Sequence, residues 1–198
     1  MKQIQGGVTA AKGFEAAGTA ANIKYTGRMD MALIYSSEPC RVAGTFTTNV
    51  VKAAPVLWDK EIVDNSPYAQ AVVVNAGIAN ACTGKQGMDY CREEAQTVSG
   101  LLNIPENAVL VGSTGVIGMQ LPMNRINEGI RKLVAVKDSS LEAGTTASKA
   151  IMTTDTVNKE IAVTIELDGK TVTVGGMSKG SGMIHPNMCT MLAYITTD

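Results

Sequence analysis

The chain has 198 residues, 45% of them hydrophobic and 18% charged, with a formal net charge of −1. It is long and apolar enough to bury a core, which excludes a disordered chain, and it lacks the basic excess that nucleic acid demands. No apolar run reaches the ~20 residues of a bilayer-spanning helix, and "MKQIQGGVTAAKGFEAAG" at the start lacks the apolar centre of a secretory signal. The expectation is a cytoplasmic protein acting on a small, weakly charged metabolite, with no nucleic-acid or membrane partner. Its cysteines (Cys40, Cys82, Cys91, Cys189) form no CxxC, and with His185 as the only histidine they make no zinc spacing. Reduced thiols are expected, with Cys40, Cys82 and Cys91 as small buried hydrophobes, and no metal.

In chain order, "MALIYSS" (Met31–Ser37) and "GTFTTN" (Gly44–Asn49) are rich in β-branched and aromatic residues and predict strands. "AQAVVVNAG" (Ala69–Gly77) is a continuous apolar run, the pattern of a strand buried on both faces. Met88, Cys91, Ala95, Val98, Leu101 and Leu102 then recur every three or four residues, which predicts an amphipathic helix from Met88 to Leu102. "AVLVGS" (Ala108–Ser113) predicts another buried strand, running into a glycine turn, "STGVIG". A helix with Ile126, Ile130, Leu133 and Val134 on its inner face follows. A third helix, around Leu141–Met152, starts after the capping residues Asp138 to Ser140. "IAVTIELDGKTVTVGG" predicts two strands joined at Asp168-Gly169, a favoured type I′ pair. "TMLAYIT" closes the chain as a strand. Interleaved helices and strands with a hairpin among them predict an α/β protein with a mixed sheet.

Three constellations carry chemistry. "VGSTGVIG" (Val111–Gly118) ends a strand in residues whose free N–H groups suit a phosphate or an oxyanion; an ordinary strand–loop–helix connection reads equally well. "IMTTDTVNK" (Ile151–Lys159) packs three threonines and an aspartate together, either as a helix-ending loop or as the lining of a polar pocket. "KGSGMIHPNMCTML" brings a cation and glycines to Cys189-Thr190. A threonine hydroxyl is a poor nucleophile without a base, and the α-amine of an amino-terminal threonine supplies one. An internal threonine reaches that state by attacking the preceding carbonyl; a glycine loop feeding a buried strand is the plain alternative.

Six ordered stretches, "GGVTAAKGFEAAG", "DMALIYSSEPCRVAGTFTTNVVKAAPV", "VVVNAGIANACTG", "STGVIG", "IMTTDT" and "KGSGMIHPNMCTML", make the chain similar to the ornithine acetyltransferase (glutamate N-acetyltransferase) family of arginine biosynthesis. The resemblance implies the mixed-sheet sandwich of the autoprocessing, amino-terminal-nucleophile type. It implies a precursor that cleaves itself between Cys189 and Thr190, where many relatives have alanine before the threonine. Thr190 would then pass acetyl from N-acetylornithine to glutamate. Thr114 and Gly115 would form the oxyanion hole, and Thr153, Lys179 and Thr190 would contact substrate. No cofactor is implied, although some members also use acetyl-CoA as donor; His185 has no family role and is expected to contact backbone.

Members of the family are about twice this length. The resemblance therefore implies that residues 1–189 correspond to a first (α) chain and residues 190–198 to the start of a second (β) chain, the complete protein pairing two of each. The sandwich is expected to be incomplete in this chain and the chain alone inactive. Two other readings share the same residues: an aminopeptidase or amidohydrolase of related fold, and an inert fragment that only binds.

Overall fold

The computed structural model describes residues 1–66, 68–180 and 191–198. Cys189 and Thr190, where cleavage and the boundary between two chains are expected, and His185 lie outside the described residues. Among the described residues the strands form two four-stranded sheets.

The first sheet has the order β2 (Phe14–Thr19), β3 (Met31–Arg41), β4 (Tyr68–Ile78), β5 (Val109–Val116). The first three strands are antiparallel, and β5 joins β4 in parallel. The connection between β4 and β5 carries helix α2 (Gly84–Leu102), as a parallel pair requires. Odd-numbered positions such as Val73, Val109 and Val111 pack against this helix, against α1 (Ala54–Asn65) and against α3 (Met123–Val136), through Cys91, Ala95, Ile126, Ile130 and Leu133. Even-numbered positions such as Val72 and Val74 face the other way, into a second core that includes Ala147 and Ile151 at α4 (Leu141–Ala150). The sheet is thus covered on both faces, which explains its near-continuous apolar runs.

The second sheet has the order β1 (Lys2–Ile4), β6 (Lys159–Leu167), β7 (Lys170–Lys179), β8 (Leu192–Thr197), all antiparallel. Its inner face meets the first sheet through Met177, Leu192 and Tyr194. Its outer face carries Val163 and Val174 as one cross-strand pair, Ile165 and Val172 as another, and Ile161, Gly176 and Ile195 in a row. Ile161 and Ile195 there are 55% and 73% exposed. The β6–β7 hairpin turns at Asp168 (φ 50°) and Gly169 (φ 75°), the two left-handed positions of a type I′ turn. Ser140 Oγ accepts from the Ala143 N–H at 3.1 Å and caps α4.

Three expectations need correction. Gly44–Asn49 is not a strand; β3 runs on to Arg41, and the segment after it, mostly exposed, finds no strand partner to realise its β-propensity. "STGVIG" is not a turn from its first residue, because β5 continues to Val116 in register with Ile78. Of the three cysteines expected to be buried, Cys91 is, whereas Cys40 is half-buried and Cys82 exposed, the latter at a left-handed φ of 57°.

Between α1, α2 and β5 lie two acids that the apolar pattern conceals. Glu94 is fully buried with no hydrogen-bond partner among the described residues for either carboxyl oxygen, and Asp59 accepts from the Val111 N–H at 2.8 Å. Burial raises both groups to about 8, with their neighbouring acids adding to the shift at Glu94. Between about pH 4 and pH 8 the folded chain therefore holds protons that the unfolded chain has released. Their contribution to stability is full below that window and is lost as pH rises through it. Asp59→Asn and Glu94→Gln are each expected to flatten the fall in urea midpoint between about pH 5 and about pH 9. A double variant that keeps the wild-type slope would contradict neutral carboxyls at these positions.

Candidate active site

At one point of the parallel pair β4–β5 the backbone leaves no room for a side chain. Gly115 has φ +135°, and a Cβ there would overlap the Gly77 carbonyl group; Gly77 itself has φ +114°. Only glycine fits both the conformation and the approach. The residue before it, Thr114, pairs with Ala76 and faces the space between the sheets. Thr114 is 2% exposed, and its hydroxyl has no hydrogen-bond partner among the described residues. The Val111 N–H points away from β4, towards Asp59. Strand alternation directs the Ser113 and Gly115 N–H groups to the same outer edge. This site thus holds an uncommitted hydroxyl next to an edge N–H, two donors of the kind that suit a developing oxyanion.

On the facing sheet, Lys179 ends β7 opposite Leu192 and projects from the inner face. It is 3% exposed and forms no ion pair among the described residues. Burial lowers its pKa, the carboxylate of Asp155 works against that, and the ammonium of Lys159 adds to it. Thr153 lies in the loop after α4. The guanidinium of Arg28 donates to the carbonyls of both Met152 and Thr153 at 2.7 Å.

The two halves face each other at one end of the sandwich. The Tyr194 hydroxyl sits where a Cβ on Gly112 would be. Thr196 and Thr197 line a cleft of about 340 Å³ with Leu110 and Gln70, at the opposite end of β4 and β5. Since β8 runs that way, its start at Leu192, and Lys179 beside it, lie towards Thr114. The loop between β2 and β3 joins the halves: Lys24 packs on Gly77, Arg28 grips the Thr153 loop, and the Asp30 carbonyl accepts from the Ala76 N–H at 2.8 Å. The Asp30 carboxylate in turn takes the N–H groups of Ala21 and Ile23 at 2.7 and 2.6 Å, which fixes the loop's course.

Of the residues expected from sequence, Thr114, Gly115, Thr153 and Lys179 converge on this end. Thr190 and Cys189 lie outside the described residues, between Gly180 and Met191. The 340 Å³ cleft contains none of them. Arg28, Asp30, Gly77 and Asp155 had not been singled out as site residues. Asp155 stood inside a quoted motif, but no spacing rule shows which backbone a loop carboxylate will bind. Among the described residues no group of three or more His, Cys, Asp or Glu is arranged to hold a metal ion, and no helix is long and apolar enough to cross a membrane.

Comparison with known proteins gives one consistent answer. The model of the ArgJ family matches residues 15–198. The arginine biosynthesis bifunctional protein ArgJ of Symbiobacterium thermophilum is 51% identical over 200 residues, covering 100% of this chain and 49% of the relative. The crystal structure of the arginine biosynthesis bifunctional protein argJ of Bacillus halodurans superposes with a TM-score of 0.88 at 43% identity, over 96% of this chain and 97% of that one. Ornithine acetyltransferase of Mycobacterium tuberculosis, solved in complex with ornithine, gives 0.85 at 41% identity, over 94% and 96%. The chain spans about half the length of the curated relatives it matches. Its sequence along almost its whole length and its two-sheet α/β fold agree: the chain belongs to the ArgJ family of arginine-biosynthesis proteins.

Proposed function

We propose that this chain is the first half of a glutamate N-acetyltransferase that works through an acetyl-threonine intermediate on Thr190. Residues 1–189 are the α-chain region in this reading, and residues 190–198 begin the β-chain region. In processing, Thr190 Oγ attacks the Cys189 carbonyl carbon, the amide nitrogen leaves as a new α-amine, and water cleaves the resulting ester. In transfer, that amine takes the hydroxyl proton as Oγ attacks the acetyl carbonyl of N-acetylornithine. Ornithine leaves with the proton on its amine, and the neutral amine of glutamate then removes the acetyl group. The Thr114 hydroxyl and Gly115 N–H stabilise the oxyanion of each tetrahedral intermediate, while Lys179 and Thr153 hold the substrate, Lys179 through its carboxylate.

One observation carries this reading: Thr114 and Lys179 project from opposite sheets into the same end of the sandwich. Lys179 ends β7 beside Leu192, the first residue of β8. The relative solved with ornithine, at 41% identity, supports an amino-acid substrate.

A second chain is part of the proposal. It would cover the outer face of the second sheet, where Ile161 and Ile195 stand more than half exposed on an apolar surface. Curated relatives twice as long as this chain, beside a solved relative chain of equal extent, support a protein in two parts. Two copies of each part make the assembled enzyme.

In the complete protein, Thr190→Ala is expected to abolish both cleavage, read as the intact mass, and acetylglutamate formation. A variant that still splits and turns over N-acetylornithine contradicts the assignment, and release of free acetate in place of acetylglutamate makes the protein a hydrolase. Thr114→Ala should lower kcat by about 10²–10³-fold, the cost of one oxyanion donor. Ile195→Lys should reduce co-purification of the two parts, with the isolated chain still folded by circular dichroism.

A further inference from the structure

The Thr153 loop and the end of β7 are far apart in sequence, yet one side chain joins them. Asp155 is 2% exposed at its side chain. Its Oδ1 accepts from the Gly180 N–H at 2.9 Å and from Lys159 Nζ at 2.7 Å, and its Oδ2 accepts from the Thr153 N–H at 3.3 Å. Three donors from three points of the chain thus converge on one carboxylate, an arrangement that replaces solvation with fixed hydrogen bonds. Burial opposes its ionisation, but the bonds from Lys159, Gly180 and Thr153 prevail and hold the carboxyl below its ordinary range. Asp155 is therefore an anion at neutral pH.

We propose that Asp155 is a positioning residue that clamps the Thr153 loop to the Gly180 end of β7 and acts as the buried counter-charge of Lys179. The inference rests on the preceding reading of Lys179 as the group that receives a substrate carboxylate. A cation with a dedicated ion pair would have to break it before binding an anion. Lys179 has none among the described residues. Asp155 instead spends its lone pairs on Gly180, Thr153 and Lys159, so it stabilises the Lys179 charge at a distance without occupying the ammonium. That leaves the donors of Lys179 for the substrate and fixes them relative to Thr153.

Other charged groups lie on the elements around Lys179. Lys159, on the neighbouring strand β6, opposes it. Glu160, also on β6, lies on the inner face opposite Met177, two residues from Lys179, and is tied by the Thr145 hydroxyl at 2.7 Å. Arg28, from the loop between β2 and β3, is engaged by the carbonyls of Met152 and Thr153. Removing Asp155 and removing Lys159 should therefore act on Lys179 in opposite directions, which a scaffolding role for Asp155 does not predict.

The test is the pH dependence of kcat/KM for acetyl transfer from N-acetylornithine in the complete two-part protein. Asp155→Asn is expected to move the alkaline limb to lower pH by ~1 unit or more, the usual effect of losing a nearby opposite charge, and to raise KM more than it lowers kcat. Lys159→Gln is expected to move the same limb upward, and Glu160→Gln serves as a comparison for a neighbouring acid tied elsewhere. Opposite shifts support the proposal; an unmoved limb in Asp155→Asn, or shifts of one sign in both variants, overturns it. If Asp155→Asn fails to fold, Asp155→Ser takes its place, a limb moved to lower pH supporting the counter-charge and an unmoved limb overturning it. Lys179→Met separates this inference from the reading beneath it. If Lys179→Met leaves KM unchanged, the carboxylate role of Lys179 is wrong; if KM rises but the Asp155→Asn limb stays put, only the role of Asp155 is.

Discussion

The close approach of Gly77 and Gly115 is the constraint on which the site end of the molecule depends. Both residues hold φ values that L-side chains rarely adopt, and no Cβ could stand between their backbones. That contact lets β4 and β5 stay in parallel register to Ile78 and Val116. The extra length turns Thr114 inward and keeps its hydroxyl out of any turn. Had β5 ended at Ser113, Thr114 would have fallen in a solvated loop, free to hydrogen-bond water. In the extended strand it is buried and has no partner among the described residues, which makes it suitable as a donor.

Around that point the fold tolerates polar burial at several sites and compensates for it unevenly. Asp30 is satisfied by two backbone N–H groups and Asp155 by three donors, and both stabilise loops at the site. Glu94 and Asp59, behind β5, are less well provided for, and they remain neutral because ionisation inside the α1–α2 layer costs more than holding a proton. The contrast follows from partners. Asp155 stays charged because its donors outweigh its burial, whereas Glu94 takes up a proton because burial leaves it without a donor among the described residues.

The strongly periodic elements were legible in advance. The α2 stripe of Cys91, Ala95 and Val98, the α3 stripe of Ile126, Ile130 and Leu133, and the Asp168-Gly169 hairpin all follow from local spacing. Helix α1 was missed because it buries little besides Ala54, Pro55 and Ile62, too few positions to show a period. Gly44–Asn49 misled in the other direction: its composition is that of a strand, but a strand needs a neighbour. Thr114, Gly115, Thr153 and Lys179 could be singled out as candidates because their motifs stand in a fixed order along the chain. Arg28, Asp30 and Asp155 were not, because what they do is bind backbone atoms of distant loops.

The sequence by itself determined the alternation of helices and strands and the family, since each depends on local pattern or on motif order. Only the tertiary structure decided that there are two sheets, that Thr114 and Lys179 lie on the inner faces of different ones, and that one carboxylate joins the Thr153 loop to the end of β7. Those are relations between residues far apart in the chain, set by strand order and sheet packing, and strand order is decided by which surfaces bury each other.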